Sequence, residues 1–160
     1  MAKFIFKMQN ILNIKEKLED QAKNRYGMAL ARLREEEALL QQLQDKKYGY
    51  EWQLRQLLEM TEEGLSLRDI RQLEDGIETM KYRIRMQQIA VNRANQQVEV
   101  ARMQLDEAMK ERKTYEKLKE KAFETFKKEV EKEERKEVDE LVSFKFRDGG
   151  RQENTEDMAI

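Results

Sequence analysis

The chain has 160 residues with a net charge of −1, and its charged fraction of 41% is far above the roughly 25% of an average globular protein. It contains no Pro, Cys or His and only six Gly. This composition excludes a disulfide framework and the usual zinc ligands, and it fits a cytosolic protein. Since turn-forming residues are so few, it favours long helices over a globular core.

The first stretch, Lys3–Asp20, combines two phenylalanines with an amphipathic run. Polar residues such as Lys7 and Asn10 interrupt its apolar content, and no small-residue cleavage site follows, so we do not expect a secretory signal. No apolar run in the chain approaches the ~20 residues that span a bilayer. Because acidic residues are absent before Glu16, an amphipathic, membrane-surface role stays open.

The first predicted helix covers residues 5–62, where apolar residues recur at alternating steps of three and four, as in a coiled-coil seam. Upstream, Ile11, Ile14 and Leu18 predict a seam that is slightly shifted in phase, as a stutter produces. The other residues expected on this seam are Ala22, Tyr26, Ala29, Leu33, Glu36, Leu40, Leu43, Lys47, Tyr50, Leu54 and Leu57.

One break in the pattern predicts a turn over residues 63–66. Gly64 can adopt the left-handed conformation that ends a helix. Ser66, followed by Asp69 three residues later, resembles a capping box that starts the next helix. A short connection between two long helices favours antiparallel neighbours. We therefore predict a helical hairpin that folds back near Gly64.

The second predicted helix covers residues 67–145 and repeats the same spacing from Ile70 to Phe126. The predicted fold is all-α, a long two-stranded antiparallel α-helical coiled coil (αα-hairpin) with unequal arms. It forms a single domain over residues 3–145, followed by a disordered tail over 147–160. This register places Phe4 opposite residues 122–126 and leaves the helix from Lys127 onward without a partner in the chain.

Catalytic and nucleic-acid roles find little support. The chain has no Gly-rich phosphate loop and no His to activate a nucleophile. We therefore expect it to have neither enzymatic activity nor a bound cofactor. Residues 81–113 carry eight basic and four acidic side chains, a stripe that can bind phosphates. We expect this stripe to pair with Glu35, Glu36 and Glu37 of the opposite arm, and thus no nucleic-acid partner.

Two aromatic residues depart from the seam. Tyr48 and Trp52 lie four residues apart and are predicted to form one outward ridge, which serves either local packing or contact with a partner. Gly49 and Gly76 are predicted to lie opposite one another, at a thin place where another chain can approach.

Three features together resemble the FliJ family of the bacterial flagellar type III export apparatus: the predicted hairpin, the start FIFKMQNILNIKEKLEDQAK and the end EKEERKEVDELV. The resemblance covers residues 3–145. It implies a non-enzymatic protein of the cytoplasm, peripheral at the cytoplasmic face of the cell membrane at the flagellar base. It also implies a stalk that enters the ring of the hexameric export ATPase FliI and promotes its assembly and activity. Further implied partners are the regulator FliH, the export gate protein FlhA and export chaperones.

The resemblance also implies two contact zones. The ATPase-facing end comprises Phe4, Phe6, Met8, Lys127, Lys128, Arg135, Lys136, Asp139 and Glu140. The gate-facing surface comprises Leu43, Tyr48, Tyr50, Trp52, Leu73 and Gly76. The same shape would serve the related stalk of virulence-type secretion systems. From a different class, the alternative is a holding chaperone or a membrane-surface coiled coil that uses the amphipathic first helix.

Overall fold

A computed structural model describes residues 2–60 and 66–156 of the chain. Helix α1 spans Gln9–Glu59, 51 residues, and helix α2 spans Leu67–Glu156, 90 residues. The two helices pack against each other as a helical hairpin, and the described ranges contain no strand. The predicted all-α hairpin with unequal arms is confirmed.

Helix α1 is shorter than predicted at both ends. Residues 2–6 are not helical, and the helix begins at Gln9, whose backbone N–H donates to the Phe6 carbonyl over 3.2 Å. It ends at Glu59 rather than at residue 62. The centre of the predicted turn, Gly64, lies outside the described residues.

The start of α2 has a side-chain cap. The backbone N–H of Asp69 lies 3.4 Å from Ser66 Oγ and donates to the Ser66 carbonyl over 3.1 Å. The hydroxyl thus accepts from one of the first N–H groups of the helix, which have no partner inside it. Ser66 acts as the cap that the sequence predicts, and α2 begins at the next residue, Leu67.

The end of α2 departs from the prediction. The helix continues to Glu156, past the predicted end at residue 145, so residues 147–156 are helical where a disordered tail is expected; residues 157–160 lie outside the described part. The glycines at 149 and 150 each cost a helix about 1 kcal/mol but remove no backbone donor. Without proline in the chain, every residue can add a helical hydrogen bond.

The chain divides into two compact units. The second unit comprises residues 16–110 and contains parts of both helices. Its two helical segments run antiparallel: Glu36 of α1 contacts Gln87 of α2, and the later residue Tyr50 of α1 contacts the earlier residue Gly76 of α2. Its buried apolar residues are Ala22, Ile77, Met80, Ala94, Val98 and Ala101. Ala22 is on the predicted seam of the first helix, and the other five fall on the alternating steps of three and four that start at Ile70 in the second.

The first unit comprises residues 1–15 and 111–160. Within it, Phe4 packs on Phe123 and Phe126, and the Lys15 ammonium lies 2.9 Å from the Glu111 carboxylate. These contacts again pair early residues of the chain with late ones, as in an antiparallel pair. Leu12 is the buried apolar residue here, with 2% of its surface exposed.

The start of α1 corrects the predicted phase shift. Ile11, Ile14 and Leu18 are exposed rather than on the seam, and the inward-facing residues are Leu12, Lys15 and Glu19. These three keep the spacing of three and four without a stutter. A stutter would locally unwind the pair, whereas the inward polar groups find partners: Lys15 bonds to Glu111 and Glu19 to Lys23.

Candidate functional site

A cluster of phenylalanines holds the non-helical segment 2–6 against α2. The Phe4 ring centroid lies 5.3 Å from that of Phe123, edge to face, and 5.4 Å from that of Phe126, distances that are typical of favourable aromatic pairs. Phe123 and Phe126 are three residues apart on α2 and therefore share one face of the helix. The predicted position of Phe4 beside residues 122–126 is confirmed.

A groove of about 630 Å³ adjoins this cluster. Its walls are mainly apolar, with Phe4, Phe6 and Met8 on one side and Leu118 and Phe126 on the other. Charged side chains also line it: Lys3, Lys7 and Glu129. An apolar groove with charged residues around it suits the side chains of a partner protein or a lipid surface. The predicted register places Phe126 in the α2 wall, whereas Leu118 and Glu129 were not predicted there.

The C-terminal part of α2 presents a long exposed surface. Every side chain from residue 131 to residue 149 is exposed. Apolar side chains occur among them at Val138, Leu141, Val142 and Phe144. The six charged residues predicted for the ATPase-facing end are all exposed: Lys127, Lys128, Arg135, Lys136, Asp139 and Glu140. They belong to the same compact unit as Phe4, Phe6 and Met8.

The residues predicted for the gate-facing surface separate into two groups. Leu43, Tyr50, Leu73 and Gly76 are half-buried between the helices of the second unit. Tyr48 and Trp52 are exposed, at 61% and 59%. The last two are one helical turn apart on α1 and form the outward ridge that the sequence predicts.

The predicted thin place is occupied by a tyrosine. A Cβ at Gly76 would lie 3.4 Å from Tyr50 Cε2, whereas a Cβ at Gly49 would meet nothing within 4 Å. Gly76 therefore faces Tyr50 rather than Gly49, and the ring covers the space that was expected to be open. The predicted pairing of Gly49 with Gly76 is wrong.

The outward ridge has a cation beside it. Lys47 Nζ lies 5.9 Å from the centroid of the Tyr48 ring, within the range of a cation–π contact. Lys47 also forms an ion pair with Glu51 over 3.6 Å. Tyr48 and Trp52 thus offer an amphipathic aromatic surface with charge close by, a composition that is common at protein contacts.

An ion pair between Lys15 and Glu111, which was not predicted from the sequence, joins the two helices of the first unit. The Lys15 ammonium donates to Glu111 Oε2 over 2.9 Å, and it lies 5.9 Å from the centroid of the Tyr115 ring. The hydrogen bond to Glu111 raises the pKa of Lys15 above its ordinary value, while partial desolvation opposes the rise. The sequence does contain a signal for this ion pair. In an antiparallel register, Lys15 and Glu111 are opposite charges that lie at facing positions of the two helices.

The basic stripe over residues 81–113 does not pair as predicted. Glu36 accepts a hydrogen bond from the side-chain amide of Gln87, which also donates to the Glu36 carbonyl over 2.9 Å. Lys81 and Arg102 instead form ion pairs within α2, with Glu78 and Glu99 respectively. The side-chain amide of Gln87 can donate a hydrogen bond to the Glu36 carboxylate, so no basic residue is needed at that position.

Within residues 2–60 and 66–156, no group of three or more His, Cys, Asp or Glu side chains is placed to hold a metal ion. In the same ranges, neither helix has a segment apolar enough to cross a lipid bilayer.

Comparison with known proteins gives one match. Residues 4–151 match the model of a protein family described as FliJ, flagellar FliJ protein. The match covers nearly the whole chain and confirms the resemblance that the two ends and the hairpin indicate. Neither the curated proteins nor the solved structures that were compared give a match.

Proposed function

The chain belongs to the FliJ family, whose members are components of bacterial flagellar type III protein export. We propose that it is the stalk of the hexameric export ATPase FliI. In this proposal the first unit enters the ATPase ring and favours its assembled, active form. The chain itself performs no chemistry. Its place is then the cytoplasmic face of the membrane at the flagellar base.

The observation that carries this proposal is the exposure of every side chain from residue 131 to residue 149 of α2. A helical segment with no cover from its own chain is available to a surrounding protein. Residues 127–149 carry eight acidic and seven basic side chains. Exposed ion pairs are each worth little and weaken with salt. Many such contacts hold a stalk in a ring without locking it at one position.

The first test measures ATP hydrolysis and hexamer content of the cognate ATPase with and without the full chain. We expect the chain to raise both. The charge reversal Arg135→Glu/Lys136→Glu should reduce the stimulation severalfold. The matched control Arg68→Glu/Arg71→Glu, which also reverses two exposed basic residues of α2, should not.

Two results would contradict this proposal. One is that the unaltered chain changes neither hydrolysis nor hexamer content. The other is that the two double variants reduce stimulation equally, which would assign the effect to overall charge. Circular dichroism must first show that both variants keep the helix content of the parent chain.

We further propose that Tyr48 and Trp52 contact the export gate protein FlhA. Of the six residues that the family resemblance assigns to this surface, these two are exposed and share one face of α1. Trp52 is the single tryptophan in the chain, so its fluorescence reports on this contact directly.

Binding of the FlhA cytosolic region should shift the tryptophan emission to the blue, and Tyr48→Ala should weaken binding by about tenfold. An unshifted emission under saturating conditions would exclude the contact. The regulator FliH and the export chaperones remain proposed partners without an assigned surface.

A second candidate function rests on a different observation in the first unit. Ile5, Met8, Ile11 and Ile14 are exposed, and Lys3 and Lys7 lie close in sequence. This combination favours a membrane-surface coiled coil or a holding chaperone.

Co-sedimentation with anionic phosphatidylglycerol vesicles tests the membrane role. Strong binding that is lost with Ile11→Ser/Ile14→Ser would support it. This pair is a better probe than Phe4 and Phe6, because Phe4 also holds segment 2–6 on α2. Absence of binding to the vesicles would reject the membrane role and leave the stalk proposal intact.

A further inference from the structure

Helix α2 carries a second apolar stripe on the side that faces away from α1. We define the back stripe as the seven residues Tyr82, Met86, Ile89, Arg93, Gln96, Val100 and Met103. Its five apolar members are between 48% and 66% exposed. The buried seam of the same helix includes Met80, Ala94, Val98 and Ala101. At about 100° per residue, the two stripes lie on opposite faces of α2.

The spacing of the back stripe is that of a helix-binding seam. Its members alternate at steps of four and three without interruption from residue 82 to residue 103. Positions on this side of a two-stranded coil normally carry charged or polar residues. Scattered exposed apolar residues are ordinary on a protein surface, but five of seven positions in one heptad register indicate a surface for another helix. The stripe is about 32 Å long at 1.5 Å per residue.

The charges around the back stripe specify the sign of the partner. The length of the stripe, residues 82–103, contains four basic residues, Arg83, Arg85, Arg93 and Arg102, and one acidic residue, Glu99, in a chain whose net charge is −1. Arg85 is three residues from Tyr82 and four from Ile89, so it lies beside the stripe, whereas Arg83 lies about 100° from Tyr82 on the side toward the buried seam. Basic side chains at such flanking positions pair with acidic ones on a facing helix.

A groove beside the stripe adds a place for an anchoring group. It has a volume of about 460 Å³ and is lined by Arg25 of α1 and by Arg93 and Val100 of α2, with no acidic residue in its lining. Ala29 and Ala101 form part of its floor, and their small side chains allow close approach. Two guanidinium groups in one groove suit a carboxylate of the partner.

We propose that the back stripe docks an amphipathic helix of another protein, with apolar residues spaced at three and four and glutamate or aspartate on its flanks. The five apolar side chains bury the apolar face of that helix, and Arg25 and Arg93 receive one of its carboxylates. This site lies on residues 25–103, outside the first unit, and does not depend on the proposed ATPase role.

The test uses a fluorescein-labelled synthetic peptide of 22 residues, ~33 Å as a helix. It carries leucine at alternating steps of three and four and glutamate at the flanking positions. Fluorescence anisotropy with the full chain should show saturable binding. A peptide with lysine in place of each glutamate should bind about tenfold more weakly or not at all.

Matched variants of the full chain locate the binding site. Ile89→Gln/Val100→Gln should raise the Kd of the acidic peptide about tenfold, and Arg93→Glu should do the same. Met28→Gln removes a more exposed apolar residue elsewhere on the same unit and should leave the Kd unchanged. All the altered side chains are exposed and glutamine is a good helix former, so circular dichroism should show unchanged helicity.

Several results would overturn the proposal. One is no binding of the acidic peptide, and another is an equal loss of binding with Met28→Gln. Concentration-dependent sedimentation that Ile89→Gln/Val100→Gln abolishes would assign the stripe to a second copy of this chain. Binding of duplex or single-stranded nucleic acid that depends on Arg83, Arg85 and Arg93 but not on Ile89 would assign the arginines to phosphates instead.

Discussion

The ring of Tyr50 lies against the bare backbone of Gly76, with Tyr50 Cε2 3.4 Å from the position that a Cβ would occupy. Tyr50 belongs to α1 and Gly76 to α2, so this contact helps to set the register of the second unit. Glycine destabilises a helix by about 1 kcal/mol relative to alanine. Here a Cβ would already be in van der Waals contact with the half-buried aromatic ring, so a side chain larger than a methyl group has no room on that side.

Enlarging residue 76 should therefore cost stability where enlarging residue 49 does not. Gly76→Leu should lower the free energy of unfolding by about 1–3 kcal/mol, because the leucine overlaps the Tyr50 ring. Gly49→Leu should raise it by up to about 1 kcal/mol, since a Cβ there meets nothing within 4 Å and leucine favours helix. Urea unfolding followed by circular dichroism measures both. Equal effects at the two positions would contradict the contact.

The phase of α1 near its start can be checked with two neighbouring residues. Leu12 is 2% exposed and Ile11 is 40% exposed. Leu12→Ala should lower the free energy of unfolding by about 2–4 kcal/mol, and Ile11→Ala by less than about 1 kcal/mol. The seam with a stutter, which places Ile11 inward, predicts the reverse order. Urea unfolding of the two variants decides between them.

The Lys15–Glu111 ion pair should make a pH-dependent contribution to stability. Because the pKa of folded Lys15 is raised by its hydrogen bond to Glu111, the contribution is full below the ordinary lysine pKa of about 10.4. It is lost as the pH rises through the higher pKa of the folded state.

A double-mutant cycle with Lys15→Met and Glu111→Gln isolates this pair. It should show favourable coupling at pH 8 that declines above pH ~10.5. Added salt should weaken the coupling, as both side chains reach solvent. Coupling of zero at pH 8 and low salt would show that the pair contributes nothing.

The Phe4 cluster should hold segment 2–6 in place without affecting the second unit. Phe4→Ala removes two aromatic pairs, each worth about 0.5–1.5 kcal/mol, so exchange of the Gln9 amide, which donates to the Phe6 carbonyl, should speed up by roughly tenfold or more. Ile5→Ala, at a residue that is 77% exposed, is the matched control and should leave exchange nearly unchanged. Exchange in residues 16–110 should be the same in both variants. A faster exchange there would show that the cluster supports more than its own unit.

Most of the hairpin could be predicted from residue spacing alone. The 3–4 repeat from Ala22 to Leu57 and from Ile70 to Phe126 has few polar interruptions, and a helix pair buries such a stripe whatever its other contacts. The cap at Ser66 is a local feature and could be predicted equally well. The prediction failed at the start of α1, where Ile11, Ile14 and Leu18 offered a more apolar stripe than the one that is buried.

The candidate sites depended on tertiary structure to a greater degree. Tyr48 and Trp52 could be predicted to face outward, because only residues of α1 are needed to say so. The groove beside Phe4 could be predicted only in part: the antiparallel register places Phe4 beside residues 122–126, but the part that Leu118 and Glu129 play depends on how segment 2–6 lies on α2. The back stripe was within reach of the same spacing analysis, but the buried seam of α2 had to be known before its opposite face could be recognised.

By itself, the sequence determined that this protein is a pair of long helices with mixed surface charge, because heptad spacing and the lack of proline act locally along the chain. It also determined the family, which both ends of the chain identify. Only the tertiary structure decided which face of α1 turns inward at Lys15, because that charge becomes acceptable there once Glu111 of α2 lies within reach. It likewise decided that Gly76 receives Tyr50, since a glycine carries no side chain from which its neighbour across the hairpin could be read.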